Sequence, residues 1–253
     1  MKTTLLSFLT LLSASSLCVQ AAVLLPYSND FSSSVADFST QGGSWNLSGG
    51  SYTNTDGSGS TSTATIDVTG IGGASPQDFT LTTTLSISGA GSNGNAHDTF
   101  GFALFGETAS APGSEYLLID WSVNENMRIL SIGGSGNGSL VNSSKSSTFN
   151  FANDTAYTMS LDFDYTGTDL VVTFGITDGI NSDSLTSSSF STSSALNSSY
   201  LAFRNREPIN TTDGNLSVSY DELSIVAIPE PNTLAMMLIS GLSLMVVGMR
   251  RRN

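Results

Sequence analysis

Cysteine is almost missing from this chain. Among 253 residues there is one, Cys18, and it falls in an apolar N-terminal stretch. A body without cysteine has no disulfide and no thiolate metal centre. Histidine is nearly as scarce. The only one, His97, lies in Asn93-Gly94-Asn95-Ala96-His97-Asp98, and Asp98 does not reinforce it, because adjacent strand residues point to opposite sides. One imidazole and no thiol argue against a zinc or copper site. A Ser-His-Asp arrangement would have to use His97, and no Gly-x-Ser-x-Gly elbow is present. Basic residues are few: eight Lys and Arg stand against 21 Asp and Glu, for a net charge of −13. Away from the two ends they are Arg128, Lys145, Arg204 and Arg206 alone. So acidic a surface excludes nucleic acid and anionic lipid headgroups as partners of the body. Charged residues of both signs make up only 11% of the chain. Ser, Thr, Asn and Gly therefore do the solvating, a composition suited to hydrogen bonding with polysaccharide. No stretch of the body sustains helical periodicity.

What is present begins with the two ends. Lys2 is followed by an apolar run from Leu5 to Val19 and by Val19-Gln20-Ala21. This pattern predicts a secretory signal peptide over residues 1–21, with cleavage after Ala21 or Ala22. Leu17 is too large for a lipobox, so Cys18 is expected to leave with the signal peptide. At the other end stand Pro229-Glu230-Pro231, an uncharged run from Thr233 to Met249, and Arg250, Arg251 and Arg252. The prolines end the body. The run suits a single short transmembrane helix, and the arginines hold the C-terminus in the cytoplasm.

Those three parts, in that order, resemble the PEP-CTERM sorting signal of exported bacterial proteins, over residues 228–253. The resemblance implies recognition by an exosortase-type membrane enzyme, after signal peptidase and the general secretion machinery have acted. It implies a body held transiently at the inner membrane through the C-terminal helix. The destination is then the cell surface or extracellular matrix of a Gram-negative-type bacterium.

The body, residues 22–227, is long enough for one domain with a real core. Phe79 to Ser88 alternates, with Phe79, Leu81, Leu85 and Ile87 facing inward and Thr80, Thr82, Thr84 and Ser86 outward. Phe100, Phe102 and Leu104 share a face. Tyr116–Val123 and Met127–Gly133 form a predicted hairpin around Asn124-Glu125-Asn126. Tyr157–Tyr165 puts Tyr157, Met159, Leu161, Phe163 and Tyr165 on one face, and a turn leads to Leu170–Ile176. Ser199–Arg204 and Leu216–Val226 complete the set. Gly42–Ser62, with Trp45 and Tyr52, is expected to hold early strands with loose turns. Gly133–Ser147 and Asn181–Ser199 read as long surface loops, the second partly pinned by Phe190 and Leu196, as a short extra strand would do. This many short strands predict an all-β antiparallel sandwich. Their order resembles the concanavalin A-like (laminin G-like) jelly roll. The points of resemblance are Asn29-Asp30-Phe31, the Trp45…Gly50 pair, Phe100-Gly101-Phe102, Tyr116–Trp121, Tyr157–Tyr165 and Tyr220-Asp221-Glu222-Leu223. That fold hosts lectins, glucanases and adhesive modules, so it does not by itself assign an activity.

The glucanases of that fold carry Glu-x-Asp-x-x-Glu on one strand, which sets a nucleophile and an acid across a cleft. No such run exists here. Asp162 and Asp164 share a strand face, but alternation with Leu161, Phe163 and Tyr165 turns them to solvent. Asp120, near Glu115 and Glu125, would be buried beside Leu118 and would then need a partner such as Arg128. Calcium is the one metal the body suits, because it takes oxygen ligands from loops. Asn29 and Asp30 could meet Asp221 and Glu222, since the terminal strands of jelly rolls lie close together. Acidic surface decoration explains the same residues, and no EF-hand spacing is present. Trp45, Tyr52, Trp121, Tyr200 and Tyr220 could stack on sugars, though strand aromatics more often serve the core. The expectation is an exported, non-enzymatic β-sandwich serving as a structural or adhesive surface module. Lectin-like carbohydrate binding is one form of that role, ligand-free bulk matrix material is another, and no cofactor is expected unless calcium. A glycan-active hydrolase of the same fold is the alternative.

Overall fold

The computed structural model describes residues 23–56, 61–69, 71, 77–89, 99–105, 116–122, 126–133, 136–146, 152–166, 169–191, 200–206 and 216–228. The predicted signal peptide with Cys18, Ala21 and Ala22 lies outside these residues. So do His97 and Asp98, Glu115, Glu125, Leu196, and the tail from Pro229 to Arg252.

The described strands are, in chain order, β1 (Val23–Leu24), β2 (Tyr27–Asn29), β3 (Ser39–Gln41), β4 (Ser44–Ser48), β5 (Ser51–Asp56) and β6 (Thr61–Thr69). Next come β7 (Phe79–Ser88), β8 (Thr99–Phe105), β9 (Tyr116–Ser122), β10 (Asn126–Gly133), β11 (Gly136–Ser146) and β12 (Ala156–Thr166). The last are β13 (Asp169–Thr177), β14 (Ser182–Thr186), β15 (Phe190–Ser191), β16 (Tyr200–Arg206) and β17 (Leu216–Ala227). They form two sheets. One has eight strands in the order β1-β6-β16-β8-β9-β10-β11, with β3 also on β6. The other has nine in the order β14-β13-β12-β7-β17-β5-β4, with β15 on β13 and β2 on β17. β1 runs parallel to β6, and the other pairings are antiparallel. The molecule is an all-β antiparallel sandwich with no helix among the described residues.

Period-2 alternation builds the core between the sheets. On β7, Phe79, Leu81, Leu85 and Ile87 are buried, while Thr80, Thr82, Thr84 and Ser86 are half-exposed. β12 sends Tyr157, Met159, Leu161 and Phe163 inward, and the Phe163 ring stacks on Phe79 at 4.3 Å. From the opposite sheet come Phe100, Phe102, Leu117, Ile119, Trp121 and Phe203. A buried polar bridge ties the sheets together. The Tyr220 hydroxyl donates to Asn205 Oδ1 at 2.7 Å, and Asn205 Nδ2 donates to Asn54 Oδ1 at 3.2 Å.

Three expectations change. Gly133–Ser147 is not a loop along its length: Gly136–Ser146 is β11, paired antiparallel with β10. It borders only one strand of the sheet, so no alternating apolar face announced it. Within Asn181–Ser199, Ser182–Thr186 is a strand paired with β13, and the short extra strand expected to pin the stretch is Phe190–Ser191, on β13 as well. Ser187 fills the gap between them, its N–H donating to the Val172 carbonyl at 2.9 Å and its Oγ accepting from Val172 N–H at 3.0 Å. The turn between β4 and β5 is tight rather than loose. Gly49 and Gly50 both have positive φ, 63° and 84°, the hand that matches the strand twist.

Candidate functional site

β2 lies antiparallel to β17, with Asn29 opposite Leu223 and Ser28 opposite Ser224. The expected closeness of the opening and closing strands therefore takes place through β2, while β1, the first strand, pairs with β6 in the other sheet. An open depression of about 560 Å³ forms along this seam, lined by Asn29, Asp30, Ser34, Glu222 and Ser224 among others. Three of the four residues named for calcium are thus brought together. Asp221 is not among the lining. It is the extra residue of a bulge in β17 between Tyr220 and Glu222, and its carboxylate accepts from Ser51 Oγ on β5 at 2.6 Å. Thr83, buried on β7, donates its hydroxyl to the Glu222 carbonyl beside that bulge.

The donors in the depression are already partly engaged. Asn29 Oδ1 accepts from Phe31 N–H at 2.8 Å, and its Nδ2 donates to the Ser34 carbonyl at 3.1 Å and to Tyr27 Oη at 3.3 Å. This closed turn holds Phe31 at φ 52°, with its ring fully buried against Phe38 and Tyr52. Asp30 accepts from Ser32 N–H at 3.0 Å, and its carboxyl is held below the usual range by the Ser32 bonds. Glu222 Oε1 accepts from Thr84 Oγ1 at 3.1 Å. Burial pushes the Tyr27 phenol up to about 12, helped by the neighbouring Asp37 charge and opposed by its Asn29 bond. A calcium ion wants six to eight oxygens. Among the described residues no three His, Cys, Asp or Glu side chains gather about a common point. Asp30 and Glu222 are the two carboxylates of this seam, and most of a calcium shell there would fall to water.

The second cluster lies on the outer face of the eight-stranded sheet. Asp120 is fully buried, and Arg128 grips it with both prongs: Nε to Oδ1 at 2.8 Å and Nη2 to Oδ2 at 2.7 Å. The partner expected from the hairpin is the partner found. Burial pulls the Arg128 guanidinium down, but the Asp120 hydrogen bonds and charge outweigh it and hold it above its ordinary value. A third member escaped the sequence reading. Arg204 Nη1 stands 3.7 Å from Asp120 Oδ2. The register lines up Arg204, Gly101, Asp120 and Arg128 across β16, β8, β9 and β10. Gly101 lies between the arginine and the aspartate, where a Cβ would come within 2.2 Å of the Ile119 carbonyl oxygen. Alternation with Leu201 and Phe203 places Arg204 on that face, but which strand lies two places away is a long-range fact that the local pattern does not hold.

Asp162 and Asp164 are exposed on the outer face of the nine-stranded sheet. Asp162 accepts from Thr80 Oγ1 at 2.8 Å, and Asp164 from Thr166 Oγ1 at 3.4 Å. Of the aromatic residues considered for sugar stacking, Tyr52, Trp121 and Tyr220 are core. Half-buried Trp45 packs on Tyr52 with ring centroids 5.0 Å apart. Tyr200 alone belongs to an outer face, beside Ala103 and Ala202.

No family model and no curated protein matches the sequence. Solved structures do match the fold. An endo-1,3-β-glucanase from Streptomyces sioyaensis aligns over 80% of this chain and 96% of its own, with a TM-score of 0.58 at 11% identity. The winged bean acidic lectin, in complex with methyl-α-D-galactose, aligns over 81% and 98%, with a TM-score of 0.56 at 11% identity. Lectin II from Ulex europaeus aligns over 81% and 99%, with a TM-score of 0.53 at 11% identity. At such identities the likeness establishes the fold: the body is a concanavalin A-like jelly-roll sandwich.

Proposed function

We propose that this protein is an exported surface or matrix module whose jelly-roll body binds carbohydrate without cleaving it. The observation that carries the non-catalytic part is the state of the candidate carboxylates among the described residues. Hydrolysis needs two of them facing across a cleft, one free to donate a proton and one to attack or activate water. Asp30 and Glu222 share the open seam, but Asp30 is held below the usual carboxylate range by its Ser32 bonds and Glu222 accepts from Thr84, so neither is set up as a proton donor. Asp120, buried on a sheet face, is clamped by Arg128 and approached by Arg204. Asp162 and Asp164 point side by side into solvent. The carbohydrate part is supported by the surface: threonine and serine hydroxyls cover the outer face of the nine-stranded sheet, as the 2.9 Å contact of Thr53 with Ser219 and the 3.1 Å contact of Thr173 with Thr186 illustrate. Lectin and glucanase structures of the same fold make sugar the ligand class to test first.

Export and sorting complete the proposal. The signal peptide, Pro229-Glu230-Pro231, the apolar run and Arg250 to Arg252 direct the chain through the secretion machinery to an exosortase-type enzyme. Glycan-array binding of the secreted form, run beside a polysaccharide-hydrolysis screen, tests the reading. Binding without turnover is expected. Turnover that disappears in Asp162→Asn or Asp120→Asn would establish the hydrolase instead.

A further inference from the structure

Charge is unevenly placed on this acidic molecule. The three arginines of the described body, Arg128, Arg204 and Arg206, share the outer face of one sheet. On β16, Leu201 and Phe203 enter the core, so Arg204 and Arg206 turn outward; on β10, Met127 and Ile129 enter it, so Arg128 does the same. Register puts Arg206, Thr99, Ser122 and Asn126 in one row across β16, β8, β9 and β10, directly beside the row Arg204, Gly101, Asp120, Arg128. Among the described residues, three guanidinium groups therefore share two adjacent rows with one carboxylate. Asp67, the other carboxylate that register places on this face among the described residues, pairs with Tyr200, three rows from Arg206.

A second observation points to a ligand. The Thr99 side chain is 4% exposed, and its hydroxyl has no hydrogen-bond partner. Buried hydroxyls without partners are uncommon because each costs its desolvation. By register this one stands between exposed Arg206 and the Ser122–Asn126 end of its row, beside the row that holds Arg128, whose side chain is 33% exposed. With strands about 4.8 Å apart, Arg206 and Arg128 flank a strip about 15 Å wide.

We infer that this strip is a subsite for an acidic sugar, a uronate whose carboxylate meets Arg206 or Arg128 while a ring hydroxyl bonds Thr99. This deepens the carbohydrate-binding reading and rests on it. The chemistry is the one the site already uses on Asp120, since a planar guanidinium fork fits a planar carboxylate. The net charge of −13 narrows the ligand further. A polymer charged on every residue is repelled by the rest of the surface. An isolated uronate among neutral sugars meets only the local cationic strip, because screening cuts off more distant charges within about 8 Å at physiological salt.

The test uses the secreted protein and one glucan in three forms: neutral, sparsely oxidised to glucuronate, and fully oxidised to polyglucuronate. The sparsely oxidised form should bind about tenfold tighter than the neutral parent, as a charge-assisted contact predicts, and tighter than polyglucuronate. Arg206→Gln, at an exposed position, should remove about fivefold of that preference. Thr99→Val should weaken binding about tenfold while leaving the melting temperature equal or higher, since the methyl needs no partner. A purely structural threonine would not separate the two readouts. Sodium glucuronate should shift the Nε–H resonances of Arg128 and Arg206, whereas equimolar acetate should not. Equal binding of neutral and sparsely oxidised glucan, or equal shifts with acetate, overturns the subsite and leaves the general carbohydrate reading standing. Tightest binding to polyglucuronate overturns the choice of an isolated uronate. Silence on all three polymers together with a blank glycan array overturns both.

Discussion

At the scale of single residues, Gly101 is the position most constrained by its neighbours. A methyl there would strike the Ile119 carbonyl oxygen and sit 2.8 Å from Asp120 Cα, in the interior of the eight-stranded sheet. Gly50 has a comparable demand for positive φ, 84°, but nothing lies within 4 Å of its missing Cβ. The two separate steric from conformational cost. Gly50→Ala should cost about 1 kcal/mol, the price of a left-handed alanine. Gly101→Ala should cost about 3 kcal/mol or more, as a small-to-large change that forces backbone apart. Chemical denaturation with equal m-values checks both, and equal losses would remove the steric argument. Asp120→Ala acts differently, because it strips a carboxylate from two guanidiniums. Breaking a buried pair costs about 3–5 kcal/mol. Arg128 can turn part of its charge to water, so the lower end of that range is expected. A loss below about 1 kcal/mol would make the cluster a surface pair of the ordinary kind.

Elements show what local pattern holds and what it omits. β7, β12 and β13 were legible because burial alternates along each, with large apolar and aromatic residues dominating the inner face and mostly polar residues the outer one. The β9–β10 hairpin was legible for the same reason, and with it the Asp120–Arg128 pair, since a short hairpin fixes its own register. β6 escaped notice. Its core face is Ala64, Ile66 and Val68, but Thr63 and Thr65 on the other face are also buried, so the contrast that alternation depends on is blurred. β11 was hidden by its polar composition, and Arg204 by the distance in sequence between β16 and β9. The β2–β17 seam was foreseen as a meeting of terminal strands, whereas the bulge that turns Asp221 toward Ser51 was not, because a bulge shifts side-chain direction without marking the sequence. That bulge bears on calcium. With Asp221 held by Ser51 and the Asn29 amide closed on its own turn, millimolar calcium should leave the melting temperature within about 1 °C of its value in chelator, since a ligand stabilises only in proportion to its occupancy of the native state. A saturable rise of several degrees, abolished by Asp30→Asn, would assign calcium to the seam.

For the molecule as a whole, alkaline stability follows from its buried phenols. Burial raises Tyr52, Tyr165 and Tyr220 above the ordinary range, with the Asp78 charge adding to Tyr165, and it raises Tyr27 to about 12. A phenol with a raised pKa is more protonated in the native state than in the unfolded chain between about pH 10 and its native value. Its contribution is complete below about pH 10 and is lost as pH climbs toward the native value. Stability should therefore be flat from neutral pH to about pH 10 and fall steeply above it. Most tyrosinate absorbance should appear together with loss of the near-ultraviolet circular dichroism. Titration of all the phenols before unfolding would show the four rings to be accessible.

The same molecular view bears on the proposed processing of the two ends. β2 and β17 are neighbours running antiparallel, with Tyr27 opposite Ile225. The chain thus enters the nine-stranded sheet beside the point where it leaves it, and exposed Leu24, Val226 and Ile228 flank that point. Lys2 and Arg250 to Arg252 both favour the cytoplasmic side of a membrane. A precursor held through both segments would rest its body against the far side of the inner membrane by that one end, with no strain on the sheets. Removal of either segment then cuts chain outside the described strands and leaves every ladder intact. The mature protein should accordingly keep the stability of the precursor body. Its intact mass should lack the signal peptide and the residues beyond the Pro229-Glu230-Pro231 triplet, apart from any mass added by glycosylation. A surface-exposed form whose mass still includes Arg250 to Arg252 would make the C-terminal run a permanent anchor and end the sorting proposal.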